Sequence, residues 1–286
     1  MLFTILLPIH RPPVFLPLAV DTVLSQTIGD FELFIVCDGA PAETAAYARE
    51  LEQRDRRIRA FVHPKGVRHG ELWRHAALEH AHGRYIAHIN DDDLWFPCHL
   101  EEMARLLDDA EFGNLPLVNV DYSGRPHWWA GDLQDSNVRK RILASRFNIA
   151  NLTVAGYRLE AYRRLPVGWS PAPRDVWSDH FMWRKFLSVP EMVCSTRFAI
   201  TALHFPDPDE SAMPLDEKYE FIARWRARVA DAAERDKIVQ QTMRQLLVDH
   251  AAEKASLVYA NDWVFRSKAW KVTAPLRWMS RVLTQR

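Results

Sequence analysis

Apolar and polar positions come in alternating blocks over the first 110 residues. Phe3–Leu7, Phe31–Val36, Ile58–Val62 and Tyr85–Ile89 are short continuous apolar runs that read as strands. Between them lie helix-period segments. Leu16, Val20, Val23 and Leu24 recur at turn spacing, Pro41 to Asp55 is rich in Ala and Glu, and Glu71–His82 is closed by Gly83. Pro97 to Asp109 forms the next helix. Strand runs without internal alternation are expected where both faces of a sheet are covered. The repetition therefore predicts an α/β domain with a mostly parallel, Rossmann-like sheet and helices on both faces.

From Leu115 the pattern loosens. Leu117–Val120 reads as a strand, Asp121 to Asp135 as an aromatic loop, Tyr157–Leu165 and Asp179–Leu187 as helices, and Phe198–Leu203 as a late strand ending at His204. Pro206 and Pro208 mark a boundary. The expected organisation is a domain over 1–205, with halves 1–110 and 111–205, followed by a helical extension over 206–286. Within that extension Leu215 to Ser256 carries an intermittent apolar stripe that fits one or two packed helices.

Composition narrows the classes. At 48% hydrophobic and 26% charged the chain is globular rather than disordered. Lys+Arg and Asp+Glu are 37 each, which removes any global drive toward nucleic acid. Cys37, Cys98 and Cys194 are too far apart for a disulfide framework or zinc spacing, and they fit a reducing, cytoplasmic compartment. No apolar stretch approaches the roughly 18–20 residues of a spanning helix. Met1 to Pro8 lacks a basic leader and runs into Arg11-Pro12-Pro13, so it reads as a buried first strand rather than a signal peptide.

Three polar clusters fall at the carboxyl ends of expected strands, where ligands gather in open α/β sheets: Pro8-Ile9-His10, Asp38-Gly39, and Asn90 to Asp93. Consecutive Asp91, Asp92 and Asp93 repel one another unless a cation sits among them. Their oxygens suit Mg²⁺ or Mn²⁺ shared with substrate phosphates. The alternative is a helix N-cap, which accounts for one aspartate or two but not three.

Phe3-Thr4-Ile5-Leu6-Leu7-Pro8, Phe34-Ile35-Val36-Cys37-Asp38-Gly39-Ala40, Arg74-His75 ahead of Gly83-Arg84-Tyr85-Ile86, and Ile89-Asn90-Asp91-Asp92-Asp93-Leu94-Trp95 resemble successive blocks of the family 2 glycosyltransferases. The resemblance covers about the first 110 residues strongly and continues more thinly to about residue 205. It implies a GT-A fold, a nucleotide-sugar donor, inversion at the anomeric centre and a Mn²⁺ or Mg²⁺ cofactor. It puts Pro8 and His10 around the nucleoside, Asp38 on the base, and Arg74 and Asp91 on the nucleotide or its diphosphate. The metal rests on Asp92, with Asp93 or Asp91 assisting, and on His204. The general base is Asp179. The chain departs from the family where Cys37 and Asn90 replace acids and Ser178 replaces a glutamate.

For Asp179 the alternative is again a helix cap, and for His204 a structural role. Trp128-Trp129 reads either as a sugar-stacking pair or as partly buried surface. A donor with an imide N–H, as in a UDP-sugar, suits Asp38. The acceptor implied is a saccharide or lipid-linked sugar. Residues 263–286 hold six basic residues and no acid, interleaved with aromatics, which suits the anionic face of a membrane; a docked C-terminal helix is the alternative. A phosphohydrolase lacks its nucleophilic Asp after the first strand, and a nucleotidyltransferase lacks its glycine-rich loop. A non-catalytic nucleotide-sugar or glycan binder on the same fold stays open.

Overall fold

The computed structural model describes residues 1–128, 131–206 and 213–266, with side chains through Tyr259. The four apolar runs form β1 (Phe3–Ile9), β2 (Phe31–Asp38), β3 (Ile58–His63) and β4 (Tyr85–His88). Alternate residues face opposite sides of the sheet. Ile5, Leu7, Leu33, Ile35 and Cys37 enter one apolar cluster, while Leu6, Phe34 and Val36 enter another, so both faces are covered. The intervening helices are α1 (Leu16–Leu24), α2 (Ala42–Arg54) and α3 (Glu71–Leu78). Proline stands in the first turn of α1 and at the N-cap of α2, positions that need no amide donor. Helix α3 stops short of Gly83 because Glu79, His80 and Ala81 close into three-residue hydrogen-bonded turns.

The chain continues through β5 (Leu94–Trp95), α4 (His99–Asp109), β6 (Phe112–Asn114), β7 (Val118–Val120), β8 (Pro126–Trp128), α5 (Ser136–Ala144), a 3₁₀ turn (Leu152–Val154), β9 (Ala155–Arg158), α6 (Leu159–Arg163), α7 (Ser178–Leu187), β10 (Cys194–Thr196), β11 (Ala202–His204), α8 (Leu215–Ala230) and α9 (Ala232–Arg266). Seven strands make one sheet in the order β10-β6-β9-β4-β1-β2-β3, and β5-β11-β7-β8 make a second. All pairs in the large sheet are parallel except those of β9, which runs antiparallel to β4 and β6. The expected α/β architecture with a mostly parallel sheet is present.

The helix expected over Tyr157–Leu165 is in fact a strand followed by a short helix. Ala155 and Tyr157 point into one apolar cluster, and Gly156 lies so close to Met103 that a Cβ there would come 2.5 Å from its sulfur. Strands of three or four residues leave no periodic signature, which is why β6, β8 and β10 are not legible either.

Contacts divide the chain into units 1–239 and 240–286. The first unit runs past Pro206 because Phe221, Ile222, Trp225 and Val229 of α8 are buried in one cluster with Phe96 and Phe205. In the second, described through Arg266 of α9, Leu247, Val248, Leu257, Val258 and Tyr259 are exposed. The basic aromatic tail, 263–286, lies outside the described side chains, and Trp129 lies outside the described residues. Among the described residues no helix is long and apolar enough to cross a membrane. All three cysteines are free.

Candidate active site

Because β1, β2 and β4 are parallel neighbours, their carboxyl ends bring Pro8 and His10, Asp38, and the Asn90–Asp93 loop to one edge of the sheet. In that loop the guanidinium of Arg11 spans two carboxylates. Its Nε and Nη2 donate to Asp91 Oδ2 and Oδ1 at 2.8 and 3.1 Å, and Nη2 also lies 2.7 Å from Asp92 Oδ2. Burial, with Asp93 and Asp91 beside it, pushes the Asp92 carboxyl up to about 7 even against Arg11. Arg11, in turn, is held charged by the same two aspartates despite its own burial.

Asp93 is fully buried and leads into β5 rather than a helix; the cap of α4 is Cys98, so the capping alternative does not apply. Strand β11 pairs antiparallel with β5, Leu203 against Leu94, and that register delivers His204 to Asp93, with Nδ1 2.8 Å from Oδ1. The other carboxylate oxygen accepts from Thr153 Oγ1 and from Asn90 Nδ2 at 3.0 Å. Three polar partners from separate segments thus satisfy one buried carboxyl group.

This arrangement does not fit a divalent ion. Both oxygens of Asp91 and both of Asp93 already face protein donors, and among the described residues no group of three or more His, Cys, Asp or Glu is gathered to hold a metal. The ligand set expected for Mn²⁺ or Mg²⁺, Asp92, Asp93 and His204, is therefore not assembled as a metal site. The physical reason is that Arg11 supplies the positive charge and His204 is turned onto Asp93.

Asp38 ends β2 on the face of α3 and is buried. Its carboxylate accepts from Lys65 Nζ at 2.5 Å and from the Gly66 amide at 2.6 Å. Gly70 caps α3 in the left-handed region (φ 73°) directly against it, where a Cβ would come 2.9 Å from the Asp38 carboxyl carbon. Both oxygens expected to read a nucleobase are thus engaged by the loop over Pro64 to Gly70. Cys37, in the preceding position, is packed in the core, and burial pushes its thiol up to about 11.

Arg74 is not at the surface but buried under the same edge, its guanidinium 4.0 Å from the Trp169 ring centre. Its Nη2 donates to Ser178 Oγ at 2.7 Å and to the His69 carbonyl at 3.2 Å. Ser178 also hydrogen-bonds to Glu71, whose carboxyl sits below its ordinary range: burial works to raise it, and amide bonds, Ser178 and Arg74 outweigh that. Ser178 thereby joins α7 to α3. Next to it, Asp179 lies in the first turn of α7, with Trp177 in the cap position. Asp179 takes the His180 amide at 2.6 Å and Asn148 Nδ2 at 3.3 Å. Burial pushes its carboxyl up to about 6, with the His180 amide and the charge of Arg74 opposing. A carboxylate with that affinity for protons is a stronger base than an ordinary aspartate and is still ionised at neutral pH.

The stretch from Asn148 to Thr153 connects the two acidic centres, touching Asp179 through Asn148 and Asp93 through Thr153. Sequence reasoning misses Arg11, Thr153, Asn148 and Glu71. Only Arg11 leaves a signal, as a lone cation after β1 in a fold whose neighbouring strand ends in three acids. The other three are recognisable only by contact.

The order and direction of the strands, with helices on both sides, define the GT-A fold. Solved structures share it: S. aureus TarS 1-349 in complex with UDP-GlcNAc (TM-score 0.53, 16% identity, 83% of this chain and 70% of that one) and the mannosyltransferase PcManGT from Pyrobaculum calidifontis in complex with GDP-Man and Mn²⁺ (TM-score 0.51, 14% identity, 94% and 82%). The sequence pattern of Glycosyl transferase family 2 matches residues 4–165, more than half of the chain. This chain belongs to that family. Among its curated relatives are Protein CgeD of Bacillus subtilis (35% identical over 127 residues, 42% of this chain and 28% of the relative) and the UDP-Glc:alpha-D-GlcNAc-diphosphoundecaprenol beta-1,3-glucosyltransferase WfgD of Escherichia coli (29% over 124 residues, 41% and 47%). The matched stretch spans less than half the length of either relative.

Proposed function

We propose that this chain is an inverting glycosyltransferase that moves a sugar from a nucleotide-diphosphate sugar, a UDP-sugar by preference, to a hydroxyl of a saccharide or lipid-linked acceptor in surface polysaccharide or glycolipid synthesis. The observation that carries it is the convergence of Asp38, Asp91–Asp93 and Asp179 at one edge of a mostly parallel sheet. Their segments are tied by Arg74 to Ser178 and by Thr153 to Asp93. Family membership and relatives named as sugar transferases support the same reading.

In this proposal the nucleoside rests near Pro8, His10 and Asp38, the last requiring Lys65 to yield its place. Asp179 removes the proton of the acceptor hydroxyl as that oxygen attacks the anomeric carbon from the side opposite the diphosphate. The C–O bond to the diphosphate breaks and the diphosphate leaves with the electron pair. Exposed Trp177, with Arg146 stacked 4.2 Å from its ring centre, offers the acceptor an apolar platform beside Asp179. Mn²⁺ or Mg²⁺ enters the proposal only with a rearranged acidic loop. Residues 263–286 are proposed to touch an anionic membrane surface from the cytoplasmic side.

The test is a thermal-shift screen of UDP-, GDP- and dTDP-sugars with and without Mn²⁺, followed by assay of nucleotide release with and without added acceptor. A folded chain that neither binds nor turns over any of these donors ends the enzyme reading. Co-sedimentation with anionic vesicles, with and without residues 263–286, tests the membrane contact.

A further inference from the structure

The surface beside Asp179 is cationic. Residues 136–146, which form α5 and the turn after it, hold Arg139, Lys140, Arg141 and Arg146 and no acid. Arg184 of α7 ties this segment down, its Nε donating to the Ile142 carbonyl at 3.0 Å and its Nη2 to the Ser145 carbonyl at 2.8 Å. Arg146, the next residue, is exposed, and its guanidinium lies 4.2 Å from the ring centre of Trp177. Two positions further along each segment, Asn148 donates to Asp179. The two contacts are neighbouring rungs, because two residues span at most about 7 Å. Among the described residues Arg146 has no hydrogen bond or ion pair, and none of Lys140, Arg141 and Arg184 pairs with a carboxylate. Other surface arginines, such as Arg54, Arg105 and Arg164, are ion-paired.

Stacking on Trp177 uses a face of the Arg146 guanidinium and leaves the N–H donors of its edge for an anion. A fork of such donors matches phosphate oxygens two at a time, and a side chain already held on a ring loses little freedom when it binds. The donor's own diphosphate does not supply this anion. In the displacement proposed above it leaves from the side opposite Asp179, whereas Arg146 stands on the Asp179 side. We propose that Arg146, set on Trp177, anchors a phosphate group carried by the acceptor, so that the acceptor is a phosphate- or diphosphate-bearing saccharide rather than a neutral one. Lys140, Arg141 and Arg184 surround the anchor with positive potential, which draws the anion in without contacting it. This subsite deepens the transferase reading, on which the assignment of its phosphate to the acceptor rests.

The test is calorimetric titration of the full chain with inorganic pyrophosphate, with saturating UDP present to occupy the donor end. Arg146→Gln should weaken pyrophosphate by at least about tenfold, the loss of one forked, charge-assisted contact. Arg146→Lys keeps the charge but not the fork or the stack, and should recover only part of the affinity. Arg54→Gln removes the same charge from α2 and should change nothing. Farnesyl diphosphate and farnesol locate the source of the phosphate. Farnesyl diphosphate binding more tightly than pyrophosphate supports a lipid-linked acceptor, equal binding supports a free sugar phosphate, and in both cases farnesol should be indifferent to Arg146→Gln. Pyrophosphate that does not bind, or that UDP displaces, overturns the proposal, and so does an equal loss in Arg54→Gln. If Arg146→Gln leaves pyrophosphate unchanged and lowers sedimentation with anionic vesicles, the patch is a membrane surface and the acceptor subsite falls. Parallel thermal shifts with UDP-sugars keep the two ideas separate. A chain that binds no donor ends the transferase reading, while the Arg146 titrations still judge the anion site.

Discussion

Thr153 donates its hydroxyl to the carboxylate of Asp93, 60 positions earlier in the chain. The carbonyl of the same threonine accepts the indole N–H of Trp95 at 2.9 Å, and the Asn151 side chain accepts the Thr153 amide at 3.0 Å. One residue of a 3₁₀ turn thus clasps the loop that leaves β4, on both sides of Leu94. The clasp is what gives a carboxyl group with no exposure to water its hydrogen-bond partners.

Thr153→Val keeps the shape of the side chain and deletes the donor. Leaving a buried carboxylate short of one hydrogen bond should lower stability by about 1–3 kcal/mol. Urea denaturation should show an earlier midpoint with an unchanged slope. An unmoved midpoint would mean that Asn90 and His204 alone satisfy Asp93.

Asp179→Asn is nearly isosteric and removes only the proton acceptor. Transfer should fall by about 10²–10⁴-fold while the thermal shift produced by the donor stays the same. Equal loss of donor binding and turnover would make Asp179 a structural residue of α7.

The pH profile follows from the same carboxyl. With Asp179 pushed up to about 6 by burial, and active only when ionised, transfer should be level above that value and fall about tenfold per unit below it. Its folded value lies above the ordinary aspartate value of about 3.9, so the folded state binds the extra proton between the two. The stability this group contributes is fully present below about pH 4 and is lost as pH rises through about 6. A rate profile that stays flat down to pH 4 would rule Asp179 out as the base.

Helix α8 belongs to the first unit, and Trp225 is its deepest aromatic, 4% exposed. Trp225→Ala should cost about 3–5 kcal/mol in the unfolding of that unit, read by calorimetry. A helix that merely followed the domain would lose far less.

The fold and half of the site are legible before any coordinates. Continuous apolar runs such as Phe31–Val36 demand a doubly covered sheet, and parallel pairing then puts Asp38 and Asp91–Asp93 at one edge by geometry alone. The short strands are not legible. Ala155–Arg158 carries too few residues to show a period, and it becomes a strand only because β4 and β6 offer their edges to it. The packing of α8 against Phe96 and Phe205 is not legible for a related reason, since prolines mark a turn in the chain but do not say whether the next helix packs back.

What the sequence by itself determined is the set of local facts: which runs are strands, where helices begin, and that three acids crowd one loop. A residue's spacing along the chain decides these, because secondary structure answers to near neighbours. Only the tertiary structure decided how the crowding is relieved. Arg11 neutralises Asp91 and Asp92 from 80 residues away, His204 meets Asp93 through the β5–β11 register, and Arg74 turns inward to Ser178 instead of outward. The physical reason is that a buried charge is compensated by whichever donor the fold brings within about 3 Å, and distance in sequence carries no information about that.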